Sequence, residues 1–274
     1  LEIVQGEIPG TVIEGVDGEV ATLGILFYGA VDVVAQQHAF IRLGRHVLAG
    51  IDLMVVTTEG SHFDHVTTWV FDLDNTLYPP RYRLFDQIEV RMTNWVMQTL
   101  GVSHEKANHL RQHYWETYGT TLAGLMREHG MDPGPYLTDV HDIDFSPLPR
   151  DPDLAARIAD LPGRRIIYTN ACEPYAVKVL EARGLSGLFD AIYGVEHAGF
   201  HPKPDRAAFE TVFAIDGLDP ARAAMFEDDA RNLAAPHAMG MRTVHIAPDP
   251  EPAPHIHHHD ADLTAFLGRV TAGL

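Results

Sequence analysis

The stretch from residue 150 to residue 246 alternates short apolar segments with helical ones, and this alternation restricts the fold more than any other feature of the sequence. We predict strands at residues 165–168, 189–193, 224–226 and 242–246, preceded by a first strand at 68–71. Between the last two strands we predict a helix at 230–239. Strands joined through helices form right-handed crossovers, which build a parallel sheet with helices on both faces. The sequence therefore predicts an α/β fold with a parallel sheet.

Residues 81–149 depart from this alternation because their pattern is helical throughout. Apolar side chains recur at helical spacing in residues 82–100, and Gly101 closes that helix. Ser103 is suited to cap a second helix that ends at Gly119. Shorter helices are predicted at 121–129 and at about 136–142. The chain thus carries an all-helical insert between its first and second strands.

The charge and cysteine content exclude several classes of function. The 20 Lys and Arg residues against 38 Asp and Glu residues give a net charge of −18, which repels nucleic-acid polymers and anionic membrane surfaces. The single cysteine, Cys172, cannot form an intramolecular disulfide, which favours a reducing compartment. The longest apolar run, residues 20–31, is shorter than the ~20 residues that span a bilayer. A secretory signal begins with basic residues, whereas the first basic residue here is Arg42. We expect a cytoplasmic protein without a membrane partner.

Polar side chains follow several of the predicted strands. Asp72 and Asp74 come after the first strand, Thr169 and Asn170 after the second, and the acidic run 227–229 ends the fourth. Ligands of such sheets bind beyond the carboxyl ends of the strands, so these groups should share one rim. A loop with Lys203 lies before the following helix. Carboxylates, a hydroxyl and an ammonium at one rim are suited to handling a phosphoryl group with a divalent metal.

In order and position, these residues resemble the four motifs of the haloacid dehalogenase-like hydrolase superfamily: Asp72-x-Asp74-x-Thr76, Thr169, Lys203 and Asp228-Asp229. The resemblance extends from residue 68 to about 247. It implies a Rossmann-like core with a helical cap inserted directly after the first motif. The expected division is an N-terminal extension of unknown structure at 1–66, a core formed by 67–80 and 150–274, and a cap at 81–149.

The resemblance and the chemistry together suggest catalytic roles. Asp72 would attack phosphorus as the nucleophile and form an aspartyl-phosphate. Asp74 would protonate the leaving oxygen and then deprotonate the attacking water. Thr169 and the Asn170 amide would bind the phosphoryl oxygens, and Lys203 would neutralise charge on the nucleophile and on the transferring group.

The same resemblance implies a metal site with Mg²⁺ as the cofactor. Asp72 and Asp228 would bind the ion through their carboxylates, and Asp74 through its backbone carbonyl, since Mg²⁺ prefers oxygen ligands. The neighbouring Asp229 is expected to support this site without touching the metal, although the sequence leaves open which of the two acids is the ligand.

A narrower resemblance links the chain to the pyrimidine 5′-nucleotidase branch of the superfamily. The residues that carry this resemblance are Asn75 in the first motif, the Tyr118-Gly119 and Gly124-Leu125 pairs within the cap sequence 113–125, and residues 168–171. It implies hydrolysis of UMP and CMP, with Tyr118 as a candidate substrate contact. The cap also carries aromatic residues that would either stack a base or pack in a core, the second role being favoured for two of them: Tyr114 and Trp115.

Other functions remain open at this point. The substrate would be a small phosphate ester, and phosphoglycolate or a sugar phosphate is the alternative to a nucleotide. A catalytically silent module that binds metal or nucleotide is the alternative to an enzyme. The histidine tract at 255–259 is expected to be an exposed loop before the last helix, rather than a metal site. The sequence does not indicate the oligomeric state.

Overall fold

The structure, a computed structural model, describes residues 62–274. In this part of the chain the strands are β1 (Thr68–Phe71), β2 (Arg164–Tyr168), β3 (Ala191–Tyr193), β4 (Ala223–Glu227), β5 (Arg242–Ile246) and β6 (His258–Asp260). They form one parallel sheet with the spatial order β3-β2-β1-β4-β5-β6. Phe71, the last residue of β1, lies opposite Ile167 of β2 and Phe226 of β4. The first strand is therefore central, and its carboxyl end meets those of its neighbours at one edge.

The helices of the described residues are α1 (Leu84–Leu100), α2 (His104–Tyr118), α3 (Thr121–His129), α4 (Pro133–Val140), α5 (Pro152–Ala159), α6 (Glu173–Arg183), α7 (Arg206–Asp216), α8 (Ala234–Ala238) and α9 (Leu263–Thr271). Helices α1 to α4 lie between β1 and β2 in sequence, within the predicted insert. Helices α5 to α8 each precede one of the strands β2 to β5, and α9 follows β6. The predicted α/β fold, a Rossmann-like parallel sheet with an inserted helical cap, is confirmed.

The centre of the sheet is buried on both faces, since every residue of β1 is buried. Side chains alternate along a strand, so Trp69 and Phe71 face one layer while Val70 faces the other. The first layer contains apolar side chains of α5, α6 and α9, and the second contains those of α7. Helices thus cover both faces, and the carboxyl ends of the strands are where a ligand can reach the sheet.

Local sequence signals explain the boundaries of the cap helices. Ser103 accepts a hydrogen bond from the Lys106 amide and so caps α2, as the sequence predicts. Gly101 ends α1 in the left-handed region at φ 63°, a conformation that costs other residues energy. Gly124 of α3 lies against Tyr114 of α2, since a Cβ atom there would be 2.2 Å from the tyrosine Cγ. Tyr114 is fully buried and packs in the core, in agreement with the favoured role.

One buried arginine joins the two passages of chain between core and cap. Arg183, at the end of α6, is 2% exposed. It donates hydrogen bonds to the Leu77 carbonyl at 3.1 Å and to the Pro149 carbonyl at 2.6 Å, and it forms an ion pair with Asp151 at 2.6 Å. Leu77 precedes the cap and Pro149 is its last residue. A single guanidinium therefore fixes both passages to the core.

Two expectations from the sequence differ from the structure. Residues 258–260 form the edge strand β6 and are half-buried, whereas the sequence predicted an exposed loop across the histidine tract. A polar edge strand lacks the apolar pattern on which the prediction depends. The helix predicted at 230–239 is a 3₁₀ turn, Ala230–Leu233, followed by α8, because Pro236 has no N–H to continue the α-helical bonding.

The predicted N-terminal extension lies outside the described residues apart from its last five positions. Within these, Phe63 is fully buried and stacks on Trp69 at a ring distance of 5.8 Å. It also meets Phe266 of α9 edge-on. The core packing therefore begins before the first strand. Across residues 62–274, every helix is too short or too polar to cross a membrane.

Candidate active site

Asp72 lies at the carboxyl end of the central strand. Its backbone amide donates to the Phe226 carbonyl of β4 at 2.9 Å, so the sheet bonding continues to this residue. The side chain is buried, with 5% of the residue exposed. A buried carboxylate requires a charged or polar partner, because its desolvation is costly.

Lys203 is that partner. Its ammonium donates to Asp72 Oδ1 at 2.7 Å, to Glu227 Oε2 at 2.6 Å and to the Tyr168 carbonyl at 3.1 Å. These three bonds use all three N–H groups of an ammonium. Burial alone would lower the pKa of Lys203, but the Asp72 and Glu227 carboxylates outweigh burial and raise it. Lys203 is therefore charged, and it holds one oxygen of Asp72.

Three carboxylates gather around this ammonium. Asp72, Glu227 and Asp228 each place a carboxylate oxygen within 4.8 Å of the others. Burial, together with the Glu227 charge, raises the pKa of Asp72 to about 7, although Lys203 opposes the rise. The same two causes raise the pKa of Asp228. If all three carboxylates were ionised, their charge would exceed that of the lysine, and the raised pKa values of Asp72 and Asp228 reflect this excess.

This donor set fits a hard divalent cation. All the candidate ligand atoms are carboxylate oxygens, which suit Mg²⁺, and the excess negative charge is what such an ion would neutralise. Asp72 and Asp228 are the ligands that the resemblance implied, and the Glu227 carboxylate, which also accepts from Lys203, lies in the same cluster. Ligation by the Asp74 backbone carbonyl stays a prediction.

Asp74 is held by two tyrosines. The Tyr78 hydroxyl donates to Asp74 Oδ1 at 2.5 Å, and the Tyr175 hydroxyl donates to the same oxygen at 2.7 Å. Burial and the Asp72 charge raise the pKa of Asp74 to about 6, against the two tyrosine hydrogen bonds, which lower it. A carboxyl group with a pKa near neutrality can both give and take a proton at physiological pH.

The second-strand residues are placed differently from one another. Thr169 is buried, and its Oγ1 accepts a hydrogen bond from the Ala171 amide at 3.0 Å. The Asn170 side chain forms a reciprocal pair with the Lys203 backbone, donating to its carbonyl at 3.1 Å and accepting from its amide at 2.8 Å. The Asn170 side chain therefore anchors the lysine loop, and the contacts of Thr169 and the Asn170 amide with the phosphoryl oxygens stay predictions.

Comparison with known proteins identifies the family. Residues 66–240 match the family model for haloacid dehalogenase-like hydrolases. The chain belongs to this hydrolase family. Phosphate metabolism protein 8 of Saccharomyces cerevisiae is 26% identical over 198 residues, a match that covers 65% of this chain and 61% of the yeast protein. The chain therefore spans less than two thirds of the yeast relative.

Solved structures share the fold at low sequence identity. A haloacid dehalogenase-like phosphatase from Thermococcus onnurineus superimposes with a TM-score of 0.52 at 15% identity, covering 76% of this chain and 99% of that chain. A 2-haloacid dehalogenase from Pseudomonas syringae gives 0.51 at 16% identity, covering 76% and 100%. Both likenesses concern the fold alone.

The hydrolase has a cavity of about 630 Å³ between its cap and its core, which we call the cap cavity. Asp74 and Asn170 line it from the core side. Its cap side combines apolar side chains with polar ones, most of which lie on α1 and α2. The lining residues of the cap include Phe85, Glu89, Met92, Arg111, Tyr136 and His141. A ligand in this cavity would have its reacting end at Asp74 and the rest of its surface against the cap.

Tyr118, the predicted substrate contact, does not line the cap cavity. It lines a second cavity of about 610 Å³, and its hydroxyl donates to Glu128 at 2.9 Å. Trp115 is 45% exposed and borders both cavities, so it is not a core residue. The Arg231 guanidinium lies 3.6 Å from its ring centroid, and Asp229 holds that arginine at 2.6 Å. Asp229 thus supports a contact between core and cap.

Sequence reasoning gave no role to Glu227 and Tyr175. Glu227 was visible as the first acid of the run that ends β4, and its position as the last strand residue was the signal. Tyr175 lies on α6, far in sequence from its partner Asp74, and in the sequence it is an ordinary aromatic residue on a helix. Only the folded arrangement shows the contact.

Proposed function

We propose that the protein is a Mg²⁺-dependent phosphomonoester hydrolase that acts through an aspartyl-phosphate on Asp72. The observation that carries the proposal is the grouping of a lysine-held nucleophile, an acidic metal cluster and a tyrosine-held acid at one sheet edge. Metal-assisted transfer of a phosphoryl group to an aspartate and then to water uses a nucleophile, a metal and a general acid of this kind.

In the first step Asp72 attacks phosphorus with the oxygen that Lys203 does not hold. A bond from Asp72 to phosphorus forms as the bond from phosphorus to the leaving oxygen breaks, and Asp74 gives its proton to that oxygen. Lys203 keeps the nucleophile oriented and offsets the charge that gathers on the transferring group. Bound at the carboxylates of Asp72, Glu227 and Asp228, Mg²⁺ would supply positive charge to the phosphoryl oxygens.

In the second step water hydrolyses the aspartyl-phosphate. Asp74, now a carboxylate, takes a proton from the water as its oxygen attacks phosphorus, and the bond to Asp72 breaks. Inorganic phosphate leaves, Asp72 is again a carboxylate and Asp74 is again protonated. The pKa of Asp74 near 6 supports both proton transfers.

The substrate we propose is a pyrimidine nucleoside 5′-monophosphate, such as UMP or CMP. The resemblance of Asn75 and of residues 113–125 to the pyrimidine 5′-nucleotidase branch supports it. A cap cavity that opens beside Asp74, with apolar surface and polar groups that could receive a base, supports it as well. The name of the yeast relative is consistent with phosphate chemistry. A small ester also suits this acidic chain better than a nucleic-acid polymer.

Dehalogenation of a haloacid is the competing reaction within this family. It would use Asp72 as the nucleophile but would need neither the acid at Asp74 nor the cluster around Asp228, because halide leaves without a proton. The two tyrosine bonds to Asp74 and the grouped carboxylates therefore favour the phosphatase.

A panel of substrates tests the proposal. Phosphate release is measured from UMP, CMP, AMP, ribose 5-phosphate, phosphoglycolate and p-nitrophenyl phosphate, alongside halide release from 2-chloropropionate. We expect UMP and CMP to have the highest kcat/KM. Asp72→Asn should lower it by at least about 10³, since an amide cannot form the phosphoenzyme. Asp153→Asn, an exposed acid to amide change on α5, is the matched control and should leave it unchanged.

The outcomes separate the alternatives. Tenfold better activity on phosphoglycolate or AMP would remove the pyrimidine assignment and keep the phosphatase. Halide release without phosphate release would overturn the phosphatase. More than a tenth of wild-type activity in folded Asp72→Asn would exclude Asp72 as the nucleophile.

A further inference from the structure

The two oxygens of Asp74 have different surroundings. Oδ1 accepts hydrogen bonds from both Tyr78 and Tyr175, at 2.5 Å and 2.7 Å. A carboxyl oxygen that accepts two such bonds has used its lone pairs, so a proton on Asp74 must sit on Oδ2. The two tyrosines thus distinguish the oxygen that is fixed from the oxygen that exchanges protons.

Packing keeps both tyrosine rings in place. Tyr78 and Tyr175 are each 1% exposed. The ring of His141, at the end of α4 in the cap, stacks on the Tyr175 ring with centroids 4.3 Å apart and planes 18° apart. His141 is in turn 3.2 Å, measured from Nδ1, from the Cys172 Sγ atom at the start of α6. The hydroxyls are therefore held rigidly, and one of them is braced by the cap.

We propose that Tyr78 and Tyr175 are positioning residues for proton transfer, which fix Asp74 Oδ1 so that Oδ2 presents the catalytic proton to the leaving oxygen. The inference rests on the proposed phosphatase, in which Asp74 is the general acid. The tyrosines touch neither phosphorus nor the leaving oxygen, so their contribution passes entirely through Asp74. It should be large only when the leaving group needs a proton.

The leaving group provides the readout. The 5′-alkoxide of UMP is a poor leaving group and requires protonation, whereas the phenolate of p-nitrophenyl phosphate requires little. Tyr175→Phe should lower kcat for UMP by about ten- to a hundredfold, the range expected for loss of one hydrogen bond to a charged group. The KM for UMP and the kcat for p-nitrophenyl phosphate should change less than threefold. Tyr78→Phe should behave in the same way.

Epistasis with Asp74 provides the second readout. In an Asp74→Asn background, which has no proton to give, Tyr175→Phe should cause no further loss on UMP. Tyr193→Phe is the matched control: Tyr193 donates to the Asp216 carboxylate at 3.0 Å, the same pairing elsewhere in the core. It should leave both substrates unaffected. Thermal unfolding of each variant confirms that it is folded.

The outcomes keep the two proposals apart. If Tyr175→Phe and Tyr78→Phe lower activity on both substrates equally, or add to the loss in Asp74→Asn, the tyrosines act on the structure and the inference is overturned. If wild type releases no phosphate, or Asp74→Asn itself affects both substrates equally, the proposed acid role of Asp74 fails, and the inference fails with it. Leaving-group dependence that matches Asp74→Asn supports both.

Discussion

Removing the charge of Asp72 should make the metal-free protein more stable while abolishing its activity. The pKa of Asp72 is raised from an ordinary 3.8 to about 7 by burial and by Glu227. Between these values the folded protein keeps a proton that the unfolded chain has released, so stability falls as pH rises through this window. Roughly three pKa units correspond to about 4 kcal/mol. Asp72→Asn has no carboxyl group to ionise and escapes this loss.

We therefore expect Asp72→Asn to be at least about 2 kcal/mol more stable than wild type at pH 8 in excess chelator. For a domain of this size that is roughly 4–8 °C in Tm. The advantage should fall by more than half at pH 5, where the wild-type carboxyl is largely protonated. Mg²⁺ should raise the Tm of wild type more than that of the variant, because bound metal stabilises the folded state.

The comparison between the two proteins is essential to this measurement. Burial lowers the pKa of His141, and also those of His257 and His258, to about 4. Because these histidines resist protonation in the folded state, they lower the free energy of unfolding as pH falls, which opposes the effect of Asp72. Their contribution is the same in both proteins and cancels when the two are compared. Asp153→Asn controls for the loss of a carboxylate. An Asp72→Asn protein no more stable than wild type at pH 8 in chelator would refute the electrostatic reasoning.

Three further results are expected. Chelation with EDTA should abolish phosphate release and Mg²⁺ should restore it, whereas full activity in excess chelator would contradict the metal assignment. Gly124→Ala should lower the free energy of unfolding by about 1–3 kcal/mol through its clash with Tyr114, and an unchanged denaturation midpoint would show that α2 and α3 separate freely. Arg183→Met should cost about 2–3 kcal/mol because it leaves Asp151 and two carbonyls without their donor, and a loss under about 0.5 kcal/mol would argue against that clamp.

The sequence predicted what depends on local pattern. The buried strand before Asp72 and the acids that end β4 belong to strands whose apolar runs are plain, and parallel topology then places their ends together. The cap helices were visible from their spacing and from caps such as Ser103. Motif order indicated the lysine as well, although Lys203 is far in sequence from Asp72.

Contacts made by distant, chemically ordinary residues were out of reach. The sequence around Tyr175 does not predict its hydrogen bond to Asp74, because that contact depends on how α6 packs against the loop after β1. The position of Tyr118 likewise follows from which side of α2 faces the cap cavity, and spacing alone did not decide this. The edge strand β6 was missed because its residues are polar and only half-buried.

The central position of β1 has a consequence for how the chain is made. Among the strands of residues 62–274 this strand is the first to leave the ribosome, but its neighbours β2 and β4 begin only at Arg164 and Ala223. The four residues of β1, all buried in the folded protein, stay without strand partners while the whole cap is synthesised. The cap helices can form from local contacts during that interval. We therefore expect the chain to be especially prone to aggregation during synthesis, before residue 227 has emerged. This period ends when β1 pairs with β2 and β4 on either side.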